Sequence, residues 1–225
     1  MHALEKDILY ILAFIPASPG VVLPWLVSLA AGLLCWFLPR QLDKDDPGPL
    51  QNLLEFIYES LEAFIANVVG EKNVSELLPV LATIFIYIFS ANLMGLIPGL
   101  KSPTSMFANC LGMALIVFFL TAWMGFRHHG LGYIKHFAGP IWWMAPLMFP
   151  IHVVGEISRP ISLTLRLFGN IMGEDVVILV LTSFIFPLLV PIPMHLLAIF
   201  TSLLQALVFT ILSGVYLSGA VSEEH

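Results

Sequence analysis

The sequence predicts an all-α integral membrane protein with five or six membrane-embedded helices and one amphipathic helix at the membrane surface. Composition is the first reason. Of 225 residues, 59% are hydrophobic and 11% charged, against roughly 45–50% and about 25% in soluble domains. A chain this poor in charge cannot cover a water-facing surface. The second reason is that apolar runs long enough to cross a ~30 Å hydrocarbon core recur along the chain. The third is that turn-rich or charged stretches separate those runs.

The elements follow in order. Met1–Pro16 contains an apolar stretch, but Glu5 and Asp7 stand where the basic region of a signal peptide belongs, so it reads as an interfacial segment. Val21–Leu38 is the first span, closed by Pro39-Arg40 and the charged stretch Gln41–Gly48. Across 50–69, Leu50, Leu53, Leu54, Ile57, Leu61, Phe64, Ile65 and Val68 recur at helical spacing, with Glu55, Glu59 and Glu62 on the opposite side. The acidic face argues against anionic lipid and for packing along the membrane surface or on a partner subunit.

Leu77–Pro98 is the second span and Phe107–Phe126 the third, joined by a turn at Gly99–Pro103. The loop Arg127–Gly139 carries His128, His129, Lys135 and His136. Without a carboxylate or cysteine among them these read as solvated rather than metal-binding. From Ile141 the chain is apolar but interrupted by His152, Glu156, Arg159, Arg166, Asn170, Glu174 and Asp175. Pro187, Pro191 and Pro193 then mark a break. Met194–Ser218 is the last segment, with His195, Ser202, Gln205 and Ser213. Both final blocks, 143–190 and 194–218, are longer than a simple span requires.

Several function classes fall away. A net charge of −6 with scattered Lys and Arg offers no nucleic-acid footprint. Cys35 and Cys110 lie in separate apolar segments without CxxC spacing and read as small buried side chains. No cofactor is implied. Arg40, Lys44, Lys72, Arg127 and Lys135 lie in the first and third loops, against Lys6 and Lys101 on the other side, which places those loops in the cytoplasm and the N-terminus outside.

Arg166 carries the chemistry. It lies within the apolar run Ile161–Leu167, where an arginine costs ~2.5–3.5 kcal/mol on insertion scales. It cannot shed its charge, because its pKa exceeds ~12. At 100° per residue, His152, Glu156, Arg159, Arg166, Asn170 and Glu174 fall within roughly 40° of one line. Asp175 points nearly opposite Arg166, and Ser162 lies to one flank. Glu156 and Arg159 also suit an internal salt bridge at i,i+3. Arg166 has no acidic residue three or four positions away, so its partner must come from another helix or chain. The stripe reads as an ion path. Gln205 reads either as glue between helices or as part of that path, and His195 either as a titrating group or as an interfacial one.

The run Ser158-Arg-Pro-Ile-Ser-Leu-Thr-Leu-Arg-Leu-Phe-Gly-Asn170 resembles the signature of the a subunits of bacterial F-type ATP synthases. Leu204-Gln-Ala-Leu-Val-Phe-Thr-Ile-Leu-Ser-Gly-Val-Tyr-Leu217 and Asn92-Leu-Met-Gly-Leu-Ile-Pro98 resemble the same family, so the likeness covers most of the chain. It implies a non-catalytic proton-channel stator in a bacterial plasma membrane. Two long, tilted helices would hug a rotating c-subunit ring, and peripheral-stalk b subunits and lipid would complete the surroundings.

By this resemblance Arg166 faces the rotor carboxylates and separates two half-channels. Asn170, Asp175 and Gln205 match ion-path positions, with Ser162 beside them. Asp175, Glu174 and Gln205 are expected on the external half-channel, and His152 with Glu156 on the cytoplasmic one. Two departures stand out: His152 replaces a residue often acidic in the family, and Glu174 is added beside Asp175.

Two other classes compete. A stand-alone secondary transporter also uses midplane charges, but the chain shows no internal repeat and too few spans for two matched halves. A membrane hydrolase lacks HExxH, GxSxG and a nucleophile–base pair.

Overall fold

A computed structural model describes residues 19–37, 48–97, 101–130, 145–184 and 191–221 of the chain. The described residues form six α-helices: α1 Pro19–Phe37, α2 Pro49–Val69, α3 Glu71–Met94, α4 Phe107–His129, α5 Ala145–Phe184 and α6 Pro191–Val221. A 3₁₀ turn, Pro103–Ser105, joins α3 to α4. By length and apolarity alone, Glu71–Met94, Phe107–His129 and Pro193–Val221 can each cross a membrane. The 40 residues of α5 would extend about 60 Å at 1.5 Å per residue, twice the ~30 Å of a hydrocarbon core. A helix of that length must incline steeply or bend to stay within a bilayer.

α2 forms over the span that the alternating faces predict, and it is only partly covered. Leu61, Ile65 and Val69, one turn apart, are buried with Leu77, Leu78 and Leu81 of α3 and with Leu217 and Val221 of α6. Its first half leaves Leu53, Phe56, Ile57 and Tyr58 exposed. Gly70 ends α2 at φ +79, a left-handed value that glycine adopts without the Cβ clash other residues meet. α3 therefore starts at Glu71, ahead of the expected Leu77, because a first-turn acid suits a helix N-terminus. It stops at Met94, short of the expected Pro98. There Gly95 turns so tightly that an added Cβ would lie 2.9 Å from Ser102 Cβ.

α4 runs past the expected Phe126 through Arg127, His128 and His129, cations that complement a helix C-terminus. Residues 127–129 are thus helical rather than loop, though Arg127 and His128 are exposed as expected. Arg127 lies 3.7 Å and His128 3.3 Å from the Glu76 carboxylate of α3. Lys135 and His136 lie outside the described residues, as do Met1–Pro16, Cys35's side chain and Pro187. α6 opens at Pro191, a first-turn position where the missing N–H is harmless.

A second core joins α3, α4, α5 and α6: Ile84, Ile88, Cys110, Ala114, Val117, Leu163, Leu167, Ala206 and Phe209 are buried together. Gly214 permits α6 to approach α2 and α3 closely. A Cβ there would sit 3.3 Å from methyl carbons of Leu81, Val68 and Val69. The bundle holds α5 and α6 side by side, and that pairing builds the site.

Candidate functional site: the arginine cleft between α5 and α6

α5 and α6 pair antiparallel in one steady register. Asn170 Nδ2 donates to Gln205 Oε1 at 2.6 Å. One turn further along α5 and one turn back along α6, Thr201 Oγ1 donates to Glu174 Oε2 at 2.9 Å. About three turns in the other direction, the Arg159 guanidinium lies 4.9 Å from the centre of the Tyr216 ring. Three residues of the stripe, Arg159, Asn170 and Glu174, thus meet α6 at three levels; periodicity put them on one line of α5, and the packing turns that line toward α6.

The stripe divides into two parts. Toward the N-terminal half of α5, Glu156 and Arg159 form an ion pair at 2.6 Å, the i,i+3 pairing that the sequence allows, and Arg159 also covers Tyr216. That pair is electrically closed. Arg166 is different. Its Nη2 reaches Ser162 Oγ at 3.5 Å, and among the described residues no carboxylate pairs with it. A guanidinium presents five N–H donors, so most of its capacity is left for groups beyond this chain.

Arg166 lies in a cleft of about 400 Å³ with Asn170, Gly173, Glu174 and Val177 of α5 and Met194, Leu197, Thr201, Leu204, Gln205 and Val208 of α6. Its walls are oily and its polar groups few and aligned: a cation, two amides, a hydroxyl and a carboxylate. Low-dielectric walls strengthen each charge–dipole interaction inside. Gln205 is buried and bonded through its oxygen, while its Nε2 has no protein partner among the described residues. It thus joins the helices, with a buried donor left over at the cleft wall.

Each predicted residue has a place. Arg166, Asn170, Glu174 and Gln205 come together in the cleft. Ser162 flanks it as the hydrogen-bond acceptor for Arg166. Asp175 is exposed and does not line the cleft, consistent with its position opposite Arg166 on the helix. His152 and Glu156 lie further along α5, and Glu156 is held by Arg159. His195 is next to the cleft-lining Met194 and belongs to the electrostatic surroundings of Glu174.

Two contributors escaped the sequence reading. Thr201 stands one turn before Gln205, so the spacing rule applied to α5 would have placed it on the same face. Tyr216 carries no charge or amide to draw attention in an oily helix. Among the described residues no cluster of three metal-ligating side chains occurs.

Comparison with known proteins decides the family. Residues 21–218 match the ATP synthase A chain family. The chain belongs to that family. It is 42% identical over 209 residues to an ATP synthase subunit a of Trichlorobacter lovleyi, covering 93% of this chain and 90% of the relative. With that of Citrifermentans bemidjiense the identity is 38% over 221 residues, covering 98% and 95%. With that of Geobacter sulfurreducens it is 38% over 208 residues, covering 92% and 90%. As a family member the chain is a multi-pass bacterial membrane protein and part of the ATP synthase complex, where it is the non-catalytic proton-channel stator of the membrane sector. The family membership removes the transporter and hydrolase readings.

Proposed function

We propose that Arg166 is the fixed charge that separates two proton half-channels and discharges rotor carboxylates one at a time. The observation that carries this reading is an arginine in an oily cleft with aligned amides and no carboxylate partner from the described residues of its own chain. The partner is then a carboxylate on a c-subunit ring running past α5 and α6. A rotor carboxylate arriving at Arg166 is stabilised in its ionised form, so it releases its proton. The same charge repels a proton taking the direct route between the half-channels.

Asn170, Glu174, Asp175 and Gln205 serve the external half-channel, with Ser162 steadying Arg166. His152 and Glu156 serve the cytoplasmic one. The N-terminus lies outside, in keeping with the loop charges, and the membrane is the bacterial plasma membrane. Peripheral-stalk b subunits hold the stator, with the exposed first half of α2 and its acidic face available for packing.

The experiment is ATP-driven proton pumping by the assembled complex in vesicles, comparing native protein with Asp175→Asn and His152→Ala. Slower pumping in both variants supports the half-channel assignment; native rates in both overturn it.

A further inference from the structure

We propose that Thr201 is a positioning residue that makes Glu174 a reversible proton-loading group in the cleft. This rests on the proposed role of the Arg166 cleft and deepens it.

The Thr201 hydroxyl has two acceptors in reach, Glu174 Oε2 at 2.9 Å and the Ala198 carbonyl oxygen at 3.1 Å. A threonine hydroxyl carries one hydrogen and two lone pairs, so it can donate to one acceptor at a time. Thr121, Thr164, Thr210 and Ser213 use theirs on the carbonyl one turn back. Thr201 has an alternative, and the alternative titrates.

Two states follow. With Glu174 ionised, the Thr201 O–H points across to the carboxylate and stabilises its charge. With Glu174 protonated, the carboxyl O–H donates to Thr201 Oγ1, and the threonine hydrogen swings to the Ala198 carbonyl. Glu174 keeps one hydrogen bond to Thr201 in each state, accepting when ionised and donating when protonated, and no covalent bond of Thr201 breaks. The incoming proton comes from hydronium in the cleft and ends on a Glu174 oxygen; it leaves through water for the rotor carboxylate that the proposed function places opposite Arg166. A lone half-buried carboxylate would favour one state by the hydrogen bonds it lacks in the other. The hydroxyl evens the two.

The charged groups around Glu174 are Asp175 beside it in sequence and His195 from α6, with Arg166 two turns along α5. Glu174, not Asp175, is the acid that shares the cleft with Arg166.

The test measures ATP-driven pumping by the assembled complex carrying Thr201→Val, Thr201→Ser, Glu174→Gln and the double variant Thr201→Val/Glu174→Gln. Thr201→Val keeps the shape and removes the hydroxyl; Thr201→Ala replaces it if assembly suffers. Losing a hydrogen bond to a charged group predicts a slowing of about tenfold or more in Thr201→Val, near-native rates in Thr201→Ser, and no added loss when valine is placed in the Glu174→Gln background. Native pumping in Thr201→Val overturns the proposal. So does a Thr201→Ser variant as slow as Thr201→Val, or a valine effect that persists without the carboxylate. An Arg166→Ala control separates the two failures. If Arg166→Ala stops pumping while Thr201→Val does not slow it, this inference alone falls. If Arg166→Ala pumps normally, the proposed function falls.

Discussion

Replacing Gln205 by leucine separates glue from conduction, because it should leave stability almost unchanged and yet slow transport. The substitution keeps the volume and removes both polar atoms. The bond lost is the 2.6 Å contact with Asn170. Hydrogen bonds between membrane helices average ~0.6 kcal/mol and reach ~1.7. Two facts reduce that cost. Asn170 is exposed to the cleft and can rehydrate, and the Nε2 of Gln205 is buried without a protein partner, so removing it relieves about 1–3 kcal/mol of desolvation. The two contributions nearly cancel, and the complex should assemble and melt as the native one does.

Transport should respond differently. A donor beside a moving charge contributes about 1.5–3 kcal/mol, which corresponds to a slowing of about 10- to 100-fold. The assay pairs thermal unfolding of the purified complex with pumping in vesicles. A large drop in melting temperature with normal pumping per assembled complex would refute the reasoning and make Gln205 simple glue.

Other predictions are simpler. Gly214→Leu should destabilise the complex by about 1–3 kcal/mol through overpacking, since a Cβ alone already meets three methyl carbons at 3.3 Å; unchanged thermal stability would contradict that packing. Arg159→Ala should cost about 1–3 kcal/mol, less than a fully buried pair because Arg159 is 38% exposed. A second change, Glu156→Gln, should recover part of that loss in the same melting experiment. Glu76→Gln should alter stability by less than ~1 kcal/mol, because Arg127 opposite it is 67% exposed.

Helical period was enough to find the line of charges on α5, because the face of a helix depends only on spacing along one chain segment. It also isolated Arg166, since no acid stood within a turn of it. Register between helices was not legible. Thr201 and Tyr216 matter because α6 runs antiparallel to α5 at one particular offset, and that offset is set by Leu163, Leu167, Ala206 and Phe209 packing in the core.

The polar knot at the α3–α4 turn was hidden for the same reason. There Thr104 donates to Asn92 at 2.6 Å and Ser102 to the Ala91 carbonyl at 2.9 Å. The start of α3 and the end of α4 were misplaced by a few residues because polar residues at helix ends were read as loop. In the structure Glu71 begins a helix and His129 finishes one.

The central claim is that Arg166 controls proton passage at the rotor interface. ATP-driven pumping by vesicles holding the assembled complex, native against Arg166→Ala, tests it most directly. The account predicts that pumping stops while the complex remains intact. Normal pumping in Arg166→Ala would make the arginine a structural residue and contradict the account.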